Sequence, residues 1–366
     1  MNKKIMVIDD DESIRKLMGR VLDRAGYDVS DASNGMEALE KLDKTNVDLI
    51  ILDMNMPKMN GLQFLKHVRD KNITTVPVLM VSGSSDTDLR IKSYKLGVYD
   101  FIKKPEMAEV LLKRIENGLK IGEMIIFNEF IKIELLMARK LQKYLFPDPV
   151  FKTENVDIFA WSKLLSDIGG DLYDYIEFRD GRIILCVADV SGHSISAALF
   201  TAIVKMIFRN AIKVTQDPAE VMGIMNRELS ENLPVESFVT MFCGIINPGE
   251  LTIEYANAGH PKPLCICNNK VVELEGNDPF LGPIQNAKFC NFKKKLKPGE
   301  SILIFTDGIS DLSNRDDVPV GTEMLLKTMR SEGPSAYEKF MDIQKNILKG
   351  DFSIIDDCTL MLVNFK

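Results

Sequence analysis

Through the first third of the chain, short apolar runs alternate with amphipathic stretches: KIMVI, ESIRKLMGRVLDRAG, VDLIILD, GLQFLKHVRD, PVLMVSG and YDFIKKP. The strand-like runs show no polar alternation, so both of their faces are covered. With helices between them, they predict a doubly wound parallel sheet of the α/β class over residues 1–120. Residues 106–146 then run without proline between Pro105 and Pro147, with apolar positions at Ile115, Leu119, Ile126, Phe130, Ile133, Met137, Leu141 and Tyr144. That spacing predicts a helix, about 60 Å long if unbroken, with Gly118 and Gly122 as the points where it would break. Two readings stay open for it: a pair of shorter helices packed on their own domains, or a signalling helix that pairs between subunits of a homodimer. The heptad slips between Ile133 and Leu141.

Beyond residue 150 the pattern changes to strands joined by turn dipeptides, in DGRIILCVADV, FVTMFCGIINPGELTIEYANAG, VVELEG and SILIFTDG. Asp180-Gly181 and Pro248-Gly249 read as hairpin turns, so the sheets here are largely antiparallel. Helical stretches at 195–213, 218–232 and 334–348 supply outer layers, and the whole reads as a layered α+β domain.

A length of 366 residues suits two cores rather than one. The net charge of -7, with acids and bases interspersed, argues against nucleic acid as a partner. The basic run Lys293 to Lys297 reads as a solvated strand face. Six cysteines, at 186, 243, 265, 267, 290 and 358, include no CxxC pair, so neither disulfides nor structural zinc are expected. The N-terminus MNKKIMVIDDDE is no signal peptide, and no apolar run approaches the roughly 20 residues that span a bilayer. A cytoplasmic location without membrane insertion is the expectation.

Chemistry concentrates in two sets of acids. In the first, Asp9 and Asp10 follow the first strand, Asp53 ends the third, Ser82 ends the next and Lys104 follows the last. Functional groups gather at the carboxyl ends of strands in an open parallel sheet, so the five converge on one crevice. A divalent cation on the acids, with Ser82 and Lys104 on phosphoryl oxygens, would make a phosphoryl-transfer site. The segments IDDD, LDMNMPKMNG, MVSG and FIKKP closely resemble the response-regulator receiver domain over residues 3–120. The resemblance implies Asp53 as phosphoacceptor and Asp9, Asp10, Asp53 and the Asn55 carbonyl as ligands of Mg²⁺. It also implies Ser82 as the hydroxyl that follows the phosphate, Phe101 as the aromatic switch and Lys104 as the salt-bridging lysine, with a sensor histidine kinase as partner. Asp11 reads as an N-terminal helix residue favoured by the helix dipole.

The second set is Asp171 in IGGDLYD, Asp189 in VADVSGHS, Asp307 in IFTDG, and Asp356 and Asp357 in IDDCTLMLV. Acids beside apolar strands and glycines suit carboxylates at the edge of a core, and oxygen-only ligands favour Mg²⁺ or Mn²⁺ over zinc. Two such ions would activate a water and clamp a phosphoryl oxygen for in-line hydrolysis, with no Ser, Cys or His nucleophile required. Taken one at a time, each aspartate is equally a surface or capping residue.

In order, ARKLQKYLFP, IGGDLYDY, VADVSGHS, FVTMFCGIIN, YANAGHPKPL, LKPGESILIFTDGISD and DDCTLMLV resemble the metal-dependent PPM-type serine/threonine phosphatases, in their bacterial SpoIIE/RsbU-like branch, over residues 138–366. The resemblance implies an α-β-β-α fold and two Mn²⁺ or Mg²⁺ ions held by Asp171, Asp189, the carbonyl of Val190, Asp307 and the Asp356–Asp357 pair, Asp356 favoured. The family usually reads DVSGHG, whereas Ser194 stands here for the last glycine. If that position needs positive φ, the serine costs about 1–3 kcal/mol. His193 and His260 lie in these motifs, and His260 reads as a hydrogen-bonded structural histidine.

The expected organisation is a receiver at 1–120, a helical signalling linker at 121–149 whose helix begins near 106, and a phosphatase domain at 150–366. Phosphorylation of Asp53 would control hydrolysis of phosphoserine or phosphothreonine, on the family's implication in a phosphorylated anti-sigma-factor antagonist. Two rivals remain. One is a catalytically silent phosphatase fold acting as a phosphorylation-controlled binding adaptor, which would be expected to have lost metal-binding acids. The other is a diguanylate cyclase suggested by GGDLY, whose match to GGDEF ends at Leu172. A DNA-binding output finds no compact helix-turn-helix.

Overall fold

The computed structural model describes residues 2–83, 87–104, 108–166, 168–192, 195–232, 234, 237–267, 270–314, 318–331, 333–349 and 352–366. The chain divides into two compact units, Met1–Ile133 and Glu134–Lys366.

In the first unit, strands and helices alternate: β1 (Lys4–Ile8), α1 (Glu12–Arg24), β2 (Asp28–Ala32), α2 (Gly35–Leu42), β3 (Leu49–Asp53), α3 (Gly61–Asp70), β4 (Val78–Ser82), α4 (Thr87–Lys95), β5 (Asp100–Lys103) and the start of α5 (Ala108–Lys143). All strand pairs are parallel in the order β2-β1-β3-β4-β5, the predicted doubly wound sheet. Alternate residues of the central strands feed two cores. Met6, Ile8, Ile50, Leu52 and Met80 pack towards Phe64 and Leu65 of α3, while Ile5, Val7, Leu49, Ile51 and Leu79 pack towards Leu22 of α1 and Ile115 of α5. This two-sided burial is why the strands lack polar alternation. Asp11 caps α1, its carboxylate accepting from the Ser13 and Ile14 amides.

Helix α5 is unbroken across Gly118 and Gly122, contrary to the expectation of weak points there. At Gly118 the helix lies close on the sheet, where an added Cβ would stand 2.7 Å from Cδ1 of Leu49. The glycine is a packing requirement that outweighs its helix cost of about 1 kcal/mol.

The second unit continues from the end of α5 with β6 (Val150–Lys152), β7 (Val156–Lys163), β8 (Asp171–Glu177), β9 (Ile183–Val190), α6 (Ile195–Val214), α7 (Pro218–Asn232), β10 (Val239–Asn247) and β11 (Thr252–Ala258). It ends with β12 (Leu264–Cys267), β13 (Lys270–Glu273), β14 (Phe292–Lys295), β15 (Ser301–Phe305), α8 (Asp307–Ser310), α9 (Gly321–Arg330), α10 (Ala336–Leu348) and β16 (Cys358–Phe365). Two antiparallel sheets result, ordered β14-β11-β10-β9-β8 and β13-β12-β15-β16-β7-β6. Both predicted hairpins are present, as β8–β9 and β10–β11.

The sheets face each other through Leu185, Val187, Phe242, Ile302, Ile304, Met361 and Val363. The opposite face of the first packs on Val204 and Phe208 of α6 and Val221 and Met225 of α7. The second is covered by Leu325 of α9 and Phe340 and Ile343 of α10. The layering is α-β-β-α. Lys293 and Lys295 of β14 are exposed on an edge strand, where lysine discourages pairing with another chain.

Cys265 and Cys267, two apart on β12, stand side by side in the inter-sheet core, because residues two apart on a strand share a face. Among the described residues, no helix is long and apolar enough to cross a membrane.

Candidate functional site

The sheet of the first unit brings Asp9, Asp53 and Lys104 into direct contact. Asp53 closes β3 and Asp9 directly follows β1, 6% and 2% exposed respectively, and Lys104 reaches both from the end of β5. Its Nζ donates to Asp9 Oδ2 at 2.5 Å and to Asp53 Oδ1 at 2.6 Å. The second oxygen of Asp53 accepts from the Asn55 amide at 2.7 Å. Burial pushes the Asp53 carboxyl up and outweighs the pull of Lys104, while burial draws Lys104 down and its bonds to Asp53 and Asp9 more than restore it. The lysine is therefore held charged between two acids.

Ser82 is buried at the end of β4, the strand next to β3. Phe101 on β5 is 7% exposed, with the guanidinium of Arg90 5.1 Å from its ring centre. Asp10 is exposed, beside a backbone pinned by Arg15, which donates to the carbonyls of Asp9 and Asp10.

In the second unit the acids collect where the two sheets open at one end. Residues alternate between faces along a strand. Leu185 and Val187 face the opposing sheet, so Asp189 does too; Tyr173 places Asp171, Ile304 places Thr306, and Met361 places Asp357 by the same parity. Asp171 and Asp189 are register partners across β8 and β9. Asp171 is 1% exposed and accepts from Thr306 Oγ1 at 2.8 Å, and Thr306 in turn accepts from the Thr359 amide at 2.9 Å. Asp307 begins α8 immediately after Thr306.

The two acids at 356 and 357 differ in employment. Asp357 is 3% exposed, and its carboxylate accepts from the amides of Leu165 and Gly170, each at 2.7 Å, so it ties down the loop before β8. Asp356 accepts from the Asp357 amide and acts electrostatically on Asp189 and Asp307.

Burial together with Asp307, Asp356 and Asp357 pushes the Asp189 carboxyl up to about 7. Asp171 is raised by burial and by Asp189 and Asp357, and Asp307 by burial and by Asp356 and Asp311. Among the described residues, the charged groups that act on Asp189 are acids.

The residues fit divalent cations. Every donor is an oxygen, the set suited to Mg²⁺ or Mn²⁺. At the middle of the cradle stands Gly170, where a Cβ would lie 2.6 Å from the Val190 carbonyl, 3.1 Å from the Gly192 carbonyl and 3.4 Å from Asp189 Oδ1. Only glycine leaves that space between convergent oxygens open. Among the described residues, no three His, Cys, Asp or Glu side chains are drawn into a closed cage as they stand. Their mutual repulsion opposes such a cage until cations enter.

Several site residues escaped the sequence reading. Gln142, 6% exposed near the end of α5, clamps Gly169 with both ends of its amide: Nε2 donates to the Gly169 carbonyl at 2.7 Å, and Oε1 accepts from the Gly169 amide at 3.2 Å. Thr201 of α6 donates towards the same turn, to the carbonyls of Gly169 and Gly170. On the other, helix-covered face of β8, away from the mouth, fully buried Asp174 accepts both arms of Arg209 at 2.6 Å and pairs with Lys205, which also donates to the Leu145 carbonyl. Gln142 lay inside ARKLQKYLFP and Thr306 inside IFTDG, but neither residue type announces a partner distant in sequence.

His260 is 2% exposed, its Nδ1 2.9 Å from Thr240 Oγ1 and its backbone tied to Asn257, so it is the structural histidine expected. Its Nε2 has no well-formed hydrogen bond. Burial pushes its pKa down to about 3, and the nearby Phe305 carbonyl opposes this only weakly. His193 and Ser194 lie outside the described residues.

Fold and site together define a response regulator: a receiver joined to a PPM-type phosphatase domain. The pattern of the response regulator receiver domain matches residues 5–116. That of Stage II sporulation protein E (SpoIIE) matches residues 179–366, just over half of the chain, which belongs to this family.

The chain is 28% identical to phosphoserine phosphatase RsbU of Bacillus subtilis (strain 168) over 239 residues, 64% of this chain and 71% of that protein. It is 29% identical to phosphoserine phosphatase RsbP of the same organism over 185 residues, 49% of this chain and 46% of that one. Its N-terminal part is 38% identical to chemotaxis protein CheY1 of Helicobacter pylori (strain ATCC 700392 / 26695) over 116 residues, 31% of this chain and 94% of that one. The SiaA-PP2C domain of Pseudomonas aeruginosa superposes with a TM-score of 0.58 at 20% identity, covering 66% of this chain and 99% of that domain, and so shares its fold.

Proposed function

We propose that the protein hydrolyses phosphoserine or phosphothreonine in a partner protein, using divalent cations held by the second acid cluster, under the control of phosphorylation at Asp53. The observation that carries this reading is the inter-sheet mouth, where Asp171 and Asp189 stand in register and where, among the described residues, the charged groups acting on Asp189 are the acids Asp307, Asp356 and Asp357. Acids gathered in this way are neutralised by protons or by bound cations, and the oxygen-lined space at Gly170 supports cations.

Bound Mg²⁺ or Mn²⁺ would activate the attacking water and neutralise phosphoryl charge. Asp171, Asp189, Asp307, Asp356 and the Val190 carbonyl would hold the two ions. Asp356 is preferred because Asp357 is occupied with the Leu165 and Gly170 amides. Thr306 orients Asp171, and Gln142 and Thr201 fix the Gly169–Gly170 turn against which Val190 and Asp189 close.

In the receiver, Asp53 would be the phosphoacceptor, with Mg²⁺ at Asp9, Asp10, Asp53 and the Asn55 carbonyl. Lys104 and Ser82 would meet the phosphoryl oxygens, and Phe101 would follow as the switch. The phosphodonor would be a sensor histidine kinase. That RsbU and RsbP are phosphoserine phosphatases supports phosphoserine as the group removed, and a phosphorylated anti-sigma-factor antagonist, implied by the family resemblance, is the substrate we favour. The retained acids weigh against a silent binding adaptor.

The test is phosphate release from a phosphoserine protein with and without Mn²⁺, for wild type and Asp189→Asn. Hydrolysis that needs both the ion and Asp189 is expected. No hydrolysis by wild type, with no Mn²⁺ bound, would transfer the reading to the adaptor.

A further inference from the structure

Beside the acid cluster stands an aromatic pair with no part in holding ions. Phe238 and Phe280 stack with ring centres 4.9 Å apart and planes 28° from parallel. Phe238 immediately precedes β10 and is locked to the turn after β9: its amide donates to Ser191 Oγ, and its carbonyl accepts from the Ser191 amide, both at 2.9 Å. Ser191 directly follows Val190. Parity puts the Phe238 ring on the face that carries Asp189, since Val239 and Met241 belong to the opposite, helix-covered core and Phe242 to the inter-sheet core.

Phe280 arrives from a distant loop held in the same ladder. Leu281 exchanges two backbone hydrogen bonds with Val239, both within 3.0 Å, and Val239 is itself the register partner of Val190. Leu281 packs into the helix-covered core, so its neighbour Phe280 faces the mouth. Gly259, at φ +63, lets the ring rest on bare backbone, where a Cβ would lie 2.1 Å from Phe280 Cδ1. Despite being held on two sides, Phe280 is 44% exposed. A fixed ring that keeps an open face offers apolar contact at little entropic cost.

Resting on the phosphatase reading above, we infer that Phe238 and Phe280 form an apolar wall of the catalytic mouth and select substrates that carry an apolar side chain within two residues of the phosphorylated serine. The phosphoryl group would meet the cations that the acids hold, whatever the protein. The wall contacts the chain on either side of it, so it discriminates between phosphoproteins without touching the reacting atoms. Phe280 is on this account a specificity residue.

The test uses full-length protein with Mn²⁺ on phosphoserine peptides in which each of the two positions on either side of the phosphoserine is Leu or Gly in turn, with free phosphoserine as a small substrate that carries no flanking residue. Wild type is expected to prefer Leu at one position by about tenfold in kcat/KM, equivalent to about 1.4 kcal/mol. Phe280→Ala should reduce that preference to about twofold and leave the rate on free phosphoserine unchanged, and Phe280→Leu should keep most of it. No Leu preference in wild type, an undiminished preference in Phe280→Ala, or an equal loss on the small substrate would overturn the inference. Failure of wild type on every substrate, the small one included, would instead overturn the phosphatase reading beneath it.

Discussion

His260 shows at the scale of one residue how burial becomes a pH dependence. Its folded pKa is about 3, against about 6.5 for an unperturbed histidine. The unfolded chain therefore takes up a proton that the folded chain refuses. The stability contributed by the neutral ring is complete above about pH 6.5 and is lost as pH falls towards 3, at about 1.4 kcal/mol per pH unit. Between pH 7 and pH 5, wild type should lose about 2 kcal/mol more than His260→Gln in urea unfolding followed through the phosphatase domain. Equal losses would mean that the ring is not the buried neutral group described. At this scale the acids were legible in the sequence, because a carboxylate closing an apolar strand is an anomaly on its face. Thr306, Gln142 and Phe280 were not, since a threonine, a glutamine and a phenylalanine are ordinary until the fold shows what they touch.

At the scale of elements, the span of α5 was legible almost to its ends, because two prolines bracket apolar residues at helical steps of 3, 4 and 7. What periodicity could not show was that Gly118 is a contact with Leu49 rather than a break, nor that the helix finishes in a clamp on Gly169. Helix α8 is only four residues long, and α9 starts after Val320 with no side-chain cap to announce it, so both went unread. The clamp makes the end of α5 part of the scaffold of the acid cradle. Gln142→Ala should cost about 1–3 kcal/mol, the usual cost of leaving buried backbone groups without partners. It should also abolish the difference in phosphate-release rate between the phosphorylated and unphosphorylated receiver. A variant that folds less stably yet keeps its full response to phosphorylation would show that the clamp is structural only.

At the scale of the whole molecule, the division between the two units falls inside α5, between Ile133 and Glu134. Around that point the helix leaves Met124, Ile126, Phe127, Phe130, Ile133 and Leu136 each at least half exposed. Such a surface calls for a partner, and we propose a second copy of this chain paired along α5. Light scattering should give a dimer for wild type and a monomer for Phe127→Glu/Phe130→Glu. A wild-type monomer across the micromolar range would remove the pairing.

Command of the phosphatase by the receiver, as proposed here through Asp53, is decided by one comparison. Phosphate release from a phosphoserine protein with Mn²⁺ would be followed for wild type and Asp53→Ala, each with and without a small-molecule phosphodonor. The phosphodonor should change the wild-type rate by tenfold or more and leave the Asp53→Ala rate where it was. Equal rates for the two proteins under phosphorylating conditions would contradict it.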